Sequence, residues 1–199
     1  MTSCVVLAGG AGRRLGGADK AAVVVGDASM LDRVLAAAHP VADSLVVVGP
    51  SRATSVPGVR FVVEAAPGGG PVPAVAAGLD AIGPVPDEDV IVLLAVDQPL
   101  LTTAAVAHLV ERVGAGDLPP AVAAADPDGA ANPLLAVYRA GALRAAIATL
   151  GRDLAGARAA NLLPAGTVTV ALDVSATTNV NLPADLARAR ALARRTKSR

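Results

Sequence analysis

Aromatic side chains are nearly missing from this sequence, with one Phe, one Tyr and no Trp in 199 residues. Surfaces that hold single-stranded nucleic acid by stacking bases on aromatic rings are therefore disfavoured. A basic surplus is missing as well, since 17 Lys and Arg balance 17 Asp and Glu. Duplex nucleic acid, which needs a basic face, is not an expected partner, although a local basic pocket stays open. Cys4 stands alone, which excludes an intrachain disulfide and a thiolate zinc cluster. Its apolar neighbours make it a buried strand position. His39 and His108 have no Cys or His at ligand spacing and read as structural. No Gly-x-Ser-x-Gly elbow points to a serine hydrolase. No apolar stretch is long enough to span a bilayer. The opening MTSCVVLAGG has no basic segment before its short apolar run. A cytoplasmic protein without a membrane partner is expected.

What is present is a large aliphatic content. Hydrophobic residues are 53% of the chain, enough to build one core from Ala, Val and Leu, and the length suits one domain. Short apolar runs at Ser3 to Ala8, Leu45 to Val48, Phe61 to Val63, Val90 to Val96, Pro133 to Tyr138 and Val168 to Leu172 predict strands. Helices are predicted after Ser29, with Asp32 completing an N-cap, over Val75 to Ile82, and after Thr102 or Thr103. Further helices are predicted over Ala142 to Leu150, Leu154 to Leu163 and Pro183 to Ala193. Residues 194–199 form a basic tail expected to fray, leaving 1–193 as the domain. Strands that alternate with helices, several of them apolar throughout, imply a mainly parallel sheet covered on both faces.

The first strand opens into Leu7-Ala8-Gly9-Gly10-Ala11-Gly12-Arg13-Arg14-Leu15-Gly16-Gly17-Ala18-Asp19-Lys20. In open α/β sheets ligands bind at the carboxyl ends of strands. Glycines let backbone N–H groups close on phosphate oxygens, and Arg13, Arg14 and Lys20 add full positive charges. The segment is neither a Walker A loop, because Ala18 follows Gly17, nor a dinucleotide fingerprint, because Leu15 stands where a glycine is required. It suits a triphosphate. Asp97 ends the most apolar strand on the same edge. It reads either as a Mg²⁺ ligand or as a turn cap before Pro99.

Taken together, Val6 to Gly10, Arg14, Gly16-Gly17 and Asp19-Lys20 resemble the signature of the molybdenum cofactor guanylyltransferases. These are MobA-like members of the nucleotide-sugar-pyrophosphorylase superfamily. Gly69-Gly70-Pro71, Val96-Asp97-Gln98-Pro99, Asn132-Pro133 and Thr178 to Leu186 continue the likeness in order along nearly the whole chain. The resemblance implies a single-domain, Rossmann-like α/β/α three-layer sandwich of the nucleotide-diphospho-sugar transferase type. It also implies transfer of GMP from GTP to the terminal phosphate of molybdopterin or its molybdenum form, with Mg²⁺ or Mn²⁺. Two positions depart from the family pattern. Gly49 stands where an Asn is common, and Ala65 stands where an Asp usually contacts guanine, with Glu64 beside it.

By that resemblance Lys20, Arg14 and Asp97 are the catalytic set, with Asp97 on the metal. Leu7, Ala8, Gly9, Gly10 and Gly12 contact nucleotide. Gly49, Glu64, Gly70 and Pro71 border the base, and Asn132, Asn179 and Asn181 belong to the acceptor side. A monomer is expected, serving other proteins of molybdenum cofactor biosynthesis and apo-molybdoenzymes. CTP or a sugar phosphate as substrate, and a nucleotide-binding module without catalysis, are the competing readings.

Overall fold

The computed structural model describes residues 1–9, 19–114, 118–173 and 175–196. Seven strands form one sheet: β1 (Thr2–Leu7), β4 (Ser44–Val48), β5 (Val59–Val62), β6 (Val90–Ala95), β7 (Ala121–Ala125), β8 (Ala131–Arg139) and β9 (Val168–Val170). Their order across the sheet is β5-β4-β1-β6-β8-β7-β9. The pairs β1·β4, β1·β6, β4·β5 and β7·β9 are parallel, while β8 runs antiparallel to both of its neighbours. Two-residue strands β2 (Val24–Val25) and β3 (Ala28–Ser29) make a separate hairpin.

The two-residue period of the strands sorts their side chains into two apolar layers. Cys4, Val6, Val92 and Leu94 face a layer shared with α1 (Met30–Ala38), α3 (Thr103–Gly114) and α5 (Pro183–Thr196). Val5, Leu7, Ile91 and Leu93 face α2 (Pro71–Ile82) and α4 (Ala140–Thr149). The result is the α/β/α sandwich. Gly78 lets α2 lie directly on the sheet, because a Cβ there would sit 2.5 Å from Cγ1 of Val5. Cys4 is fully buried, and burial pushes its thiol far above the ordinary range. It is an inert strand residue, as its neighbours suggested.

Local signals account for most boundaries. Ser29 Oγ accepts from the N–H of Asp32 at 3.0 Å and starts α1, and Thr102 Oγ1 accepts from the N–H of Ala105 ahead of α3. Two expectations fail. The helix predicted over Leu154 to Leu163 is only a 3₁₀ turn at Ala159–Leu162. Gly156 has φ +74°, and Asp153 turns back to accept from the N–H of Ala155, so the backbone bends before a helix can propagate. The last helix runs on to Thr196, which places Arg194 and Arg195 in its final turn rather than in a frayed tail. Strand β7 and the β2–β3 hairpin were not foreseen. The Ala-rich β7 has little strand propensity of its own and is held by pairing with β8 on one side and β9 on the other.

Candidate nucleotide and metal site

The carboxyl ends of β1 and β6 lie side by side, since Leu7 pairs with Ala95 and the N–H of Val96 donates to the carbonyl of Leu7 at 3.0 Å. Gly9 and Asp97 thus emerge together at one rim. Between them and α2 lies a cleft of about 520 Å³. Its walls include Leu7, Gly9, Lys20, Glu64, Gly70, Pro71, Val96, Asp97 and Leu134. Gly70 takes φ +103° to turn the chain into α2, and Pro71 occupies the first helical position. The helix therefore aims its positive end at the cleft. Pro71 and Pro73 have no N–H, and the N–H of Ala74 closes the first helical bond on the N-cap carbonyl, so Val72 supplies the free donor of that first turn.

Asp97 is the centre of the polar groups. Its side chain is 26% exposed, but Oδ1 is covered and has no hydrogen-bond partner among the described residues. Burial pushes its carboxyl above the ordinary carboxylate value, against the opposing charge of Lys20. Lys20 Nζ stands 3.6 Å from Asp97 Oδ2 and donates to Asn181 Oδ1 at 2.8 Å. The segment preceding α5 reaches this rim because the N–H of Val180 donates to the carbonyl of Asp97 at 2.8 Å. Val180 is fully buried, and the half-buried Asn179 and the exposed Asn181 flank it. Asp185 Oδ2 accepts from the N–H groups of Asn181 at 3.0 Å and Leu182 at 2.7 Å. Those two bonds hold the Asp185 carboxyl below its ordinary value. The cap on α5 thereby fixes the residue that meets Lys20.

The remaining sequence candidates divide. Glu64 lines the cleft, with Oε1 accepting from the N–H of Gly68 at 2.9 Å and Oε2 buried without a partner among the described residues. Ala8 is buried, and its N–H donates to the carbonyl of Val48. Gly49 is not on the cleft wall. A Cβ there would come within 3.0 Å of the Ala8 carbonyl carbon, at φ +152°. Asn132 uses both ends of its amide locally, donating to Asp126 Oδ1 at 2.9 Å and accepting from the N–H of Leu134 at 2.9 Å. Gly10, Gly12 and Arg14 lie outside the described residues. His39 and His108 are exposed and away from the cleft.

Sequence reasoning missed Arg52, Asp126 and Asp185. Asp185 could have been found, as an Asp three residues after Leu182 at a helix start is a capping pattern. Arg52 and Asp126 reach the rim through the fold, with no local spacing to announce them. A larger hollow of about 700 Å³ between α2 and α4 is lined mostly by apolar side chains, with Asp80 and Arg144, and holds none of the site residues.

Comparison with known proteins decides the family. The model of the MobA-like NTP transferase domain matches residues 4–167. The chain belongs to this family. As a MobA-like NTP transferase it is a nucleotidyltransferase, an enzyme of the transferase class. A probable molybdenum cofactor guanylyltransferase of Haloferax mediterranei is 34% identical over 119 residues, which are 56% of this chain and 55% of that protein. The match thus spans about half the length of that relative. The molybdopterin-guanine dinucleotide biosynthesis protein A of Archaeoglobus fulgidus has the same fold, with a TM-score of 0.67, 23% identity, and coverage of 97% of this chain and 99% of that one. The 2-C-methyl-D-erythritol 4-phosphate cytidylyltransferase of Thermus thermophilus shares it too, with a TM-score of 0.71, 23% identity, and coverage of 98% and 100%. No helix among the described residues is long and apolar enough to cross a membrane.

Proposed function

We propose that this MobA-like transferase moves GMP from GTP to the terminal phosphate of molybdopterin, or of its molybdenum form, and releases pyrophosphate. The observation that carries the reading is Asp97, which lines the cleft just beyond β6 beside Lys20 and Asn181 and whose covered Oδ1 has no partner among the described residues. A covered carboxylate oxygen without a donor is costly unless something fills its coordination. A divalent cation fits that need. Among the described residues no group of three His, Cys, Asp or Glu could cage an ion. The ion would be held by Asp97, water and the triphosphate itself, which is the ordinary manner of Mg²⁺. When bound, Mg²⁺ offsets the charge that builds on the α-phosphate and on departing pyrophosphate.

The protein's part is to bind and orient. Lys20 neutralises Asp97 in the free enzyme and turns to phosphate oxygens when nucleotide enters. The α2 terminus and the glycines at the strand end take further phosphate charge. An oxygen of the acceptor phosphate attacks the α-phosphorus in line. The bond to the α,β-bridging oxygen breaks, and its electron pair leaves on pyrophosphate. The attacking oxygen is already anionic, so no strong base is needed and positioning carries the rate. Glu64 Oε2 is the acceptor for the N1–H and amino group of guanine. Asn179, Asn181 and the Asn132 region face the acceptor.

Support for the base and acceptor comes from the Haloferax relative's name and from the free Glu64 oxygen in the cleft wall. CTP is the second reading, favoured by Gly49 and Ala65 at two positions where the family pattern differs. Label transfer from GTP and CTP carrying ³²P at the α-phosphate, with and without molybdopterin and Mg²⁺, separates them. A labelled dinucleotide from GTP alone, dependent on both additions, is expected. Product from CTP alone overturns the guanylyl assignment, and no molybdopterin dependence overturns the acceptor.

A further inference from the structure

Lys20 must hold its position for the rim to work, yet it follows the glycine-rich segment rather than a regular element. What fixes it is a short chain of contacts that starts on the neighbouring strand. Beyond β4 the backbone is pinned twice. The N–H of Gly49 donates to the carbonyl of Val62 at 2.8 Å. Farther on, Asp32 of α1 accepts from Thr54 Oγ1 at 2.6 Å and from the N–H of Ser55 at 3.0 Å. Burial pushes the Asp32 carboxyl up, but its hydrogen bonds to Thr54, Ser29 and Ser55 together outweigh that and hold it below its ordinary value. Arg52 projects from the bow between these pins. Its Nη2 meets Asp19 Oδ2 at 2.9 Å, and its side chain is only 17% exposed. Asp19 Oδ1 accepts from the N–H of Ala21 at 3.2 Å, capping the 3₁₀ turn Lys20–Ala22 that carries the lysine.

We infer that Arg52 is a positioning residue for nucleotide binding. It clamps Asp19 on a rigid base, and Asp19 sets the backbone of Lys20 at the distance where Nζ meets Asp97 and Asn181. Asp19 is 48% exposed, so the ion pair contributes little to overall stability. Its value is orientation, which a lysine needs in order to place a point charge on phosphate. Arg52 Nη1 is also covered and has no acceptor among the described residues. A group kept at that cost, near a rim built for anions, is more than a surface pair. The inference rests on the family activity of NTP use and not on which base is preferred.

The test compares Arg52→Ala, Arg52→Lys, Asp19→Asn and the double variant Arg52→Ala/Asp19→Asn. The Asn keeps an acceptor for Ala21 while dropping the charge that Arg52 holds. N-methylanthraniloyl GTP and CTP report binding, and steady-state rates give KM for nucleotide and acceptor separately. Arg52→Ala and Asp19→Asn should each weaken nucleotide binding about tenfold, and the double variant should be no worse than either. Arg52→Lys should recover part of the loss. Acceptor KM should stay at the wild-type value, and Tm should move by no more than about 2 °C. Unchanged nucleotide affinity, additive losses in the double variant, or an equal rise in acceptor KM each overturns the inference. A wild type that binds the CTP probe better would defeat the guanine reading and leave this one standing. A wild type that binds neither probe defeats both.

Discussion

The two parts of the sheet rim treat their polar groups differently. Among the described residues, Glu64, Arg52, Asp97 and Gln98 around the ends of the parallel strands β5, β4, β1 and β6 each keep a covered atom without a partner, and Arg139 does so at the opposite end of the sheet. Across the rim, at the antiparallel β7–β8 hairpin, Asn132 uses its amide nitrogen on Asp126 and its amide oxygen on Leu134. Tyr138 likewise donates to the carbonyl of Pro133 at 2.9 Å. Pro133, with no N–H, sits where the β7–β8 register shifts between Ala123 and Ala124, so this hairpin needs side chains to complete its own bonding. The parallel side commits backbone bonds to the fold and leaves side chains over. Side-chain capacity left over in a cleft suits a ligand, whereas Asn132 spends its amide on its own hairpin.

Substitutions should respect that division. The largest effect belongs to Asp97→Ala, which should remove Mg²⁺-dependent product in a label-transfer assay while circular dichroism stays unchanged. Burial raises the Asp97 carboxyl, so its ionised form costs folding free energy once the pH is above that raised value. The variant's Tm at pH 7 should therefore be no lower than wild type, and any gain should fade as the pH falls to the ordinary carboxylate range. A Tm loss with retained turnover would make Asp97 a structural cap. Lys20→Ala comes next. Loss of a charge-assisted phosphate contact costs about 2–3 kcal/mol, or roughly a hundredfold in kcat/KM for nucleotide. Lys20→Arg should restore little, because a planar fork does not replace an ammonium.

Glu64→Gln sharpens the comparison at the base. It should lower the GTP-to-CTP ratio of kcat/KM about tenfold, while Tm changes little. An unchanged ratio would place Glu64 with the structural groups. The smallest catalytic effect is expected for Asn132→Ala. Breaking its two bonds should cost about 1–2 kcal/mol of stability, read as a Tm drop of a few degrees, with nucleotide KM unchanged. A large rise in nucleotide KM there would erase the distinction between the two sides.

The same contrast explains what the sequence disclosed. Strands β1, β4 and β6 and helices α1 and α3 announced themselves through unbroken apolar runs and caps at Ser29 and Thr102, whereas α2 begins at Pro71, ahead of the predicted Val75. Asp97 was legible because it ends a wholly apolar strand, and Lys20 because it closes the glycine- and arginine-rich segment after β1. The pairing of Lys20 with Asn181, 161 positions away, followed only once α5 was capped by Asp185. Strand β7 was hidden because Ala-rich sequence has no period to read, and Arg52 because its partner is set by crossing from β4 to the loop after β1. Gly49 was read through the family resemblance as a ligand position, and a Cβ there would crowd the backbone of Ala8, a closeness no local sequence pattern announces.

The central claim is that the free oxygen of Asp97 exists to hold a metal against the nucleotide. Calorimetric titration of GTP, with and without Mg²⁺, into wild type and Asp97→Ala tests it most directly. Wild type should bind GTP at least about tenfold tighter with Mg²⁺, and the variant should show the same affinity in both buffers. Equal Mg²⁺ dependence in the two proteins would contradict the account.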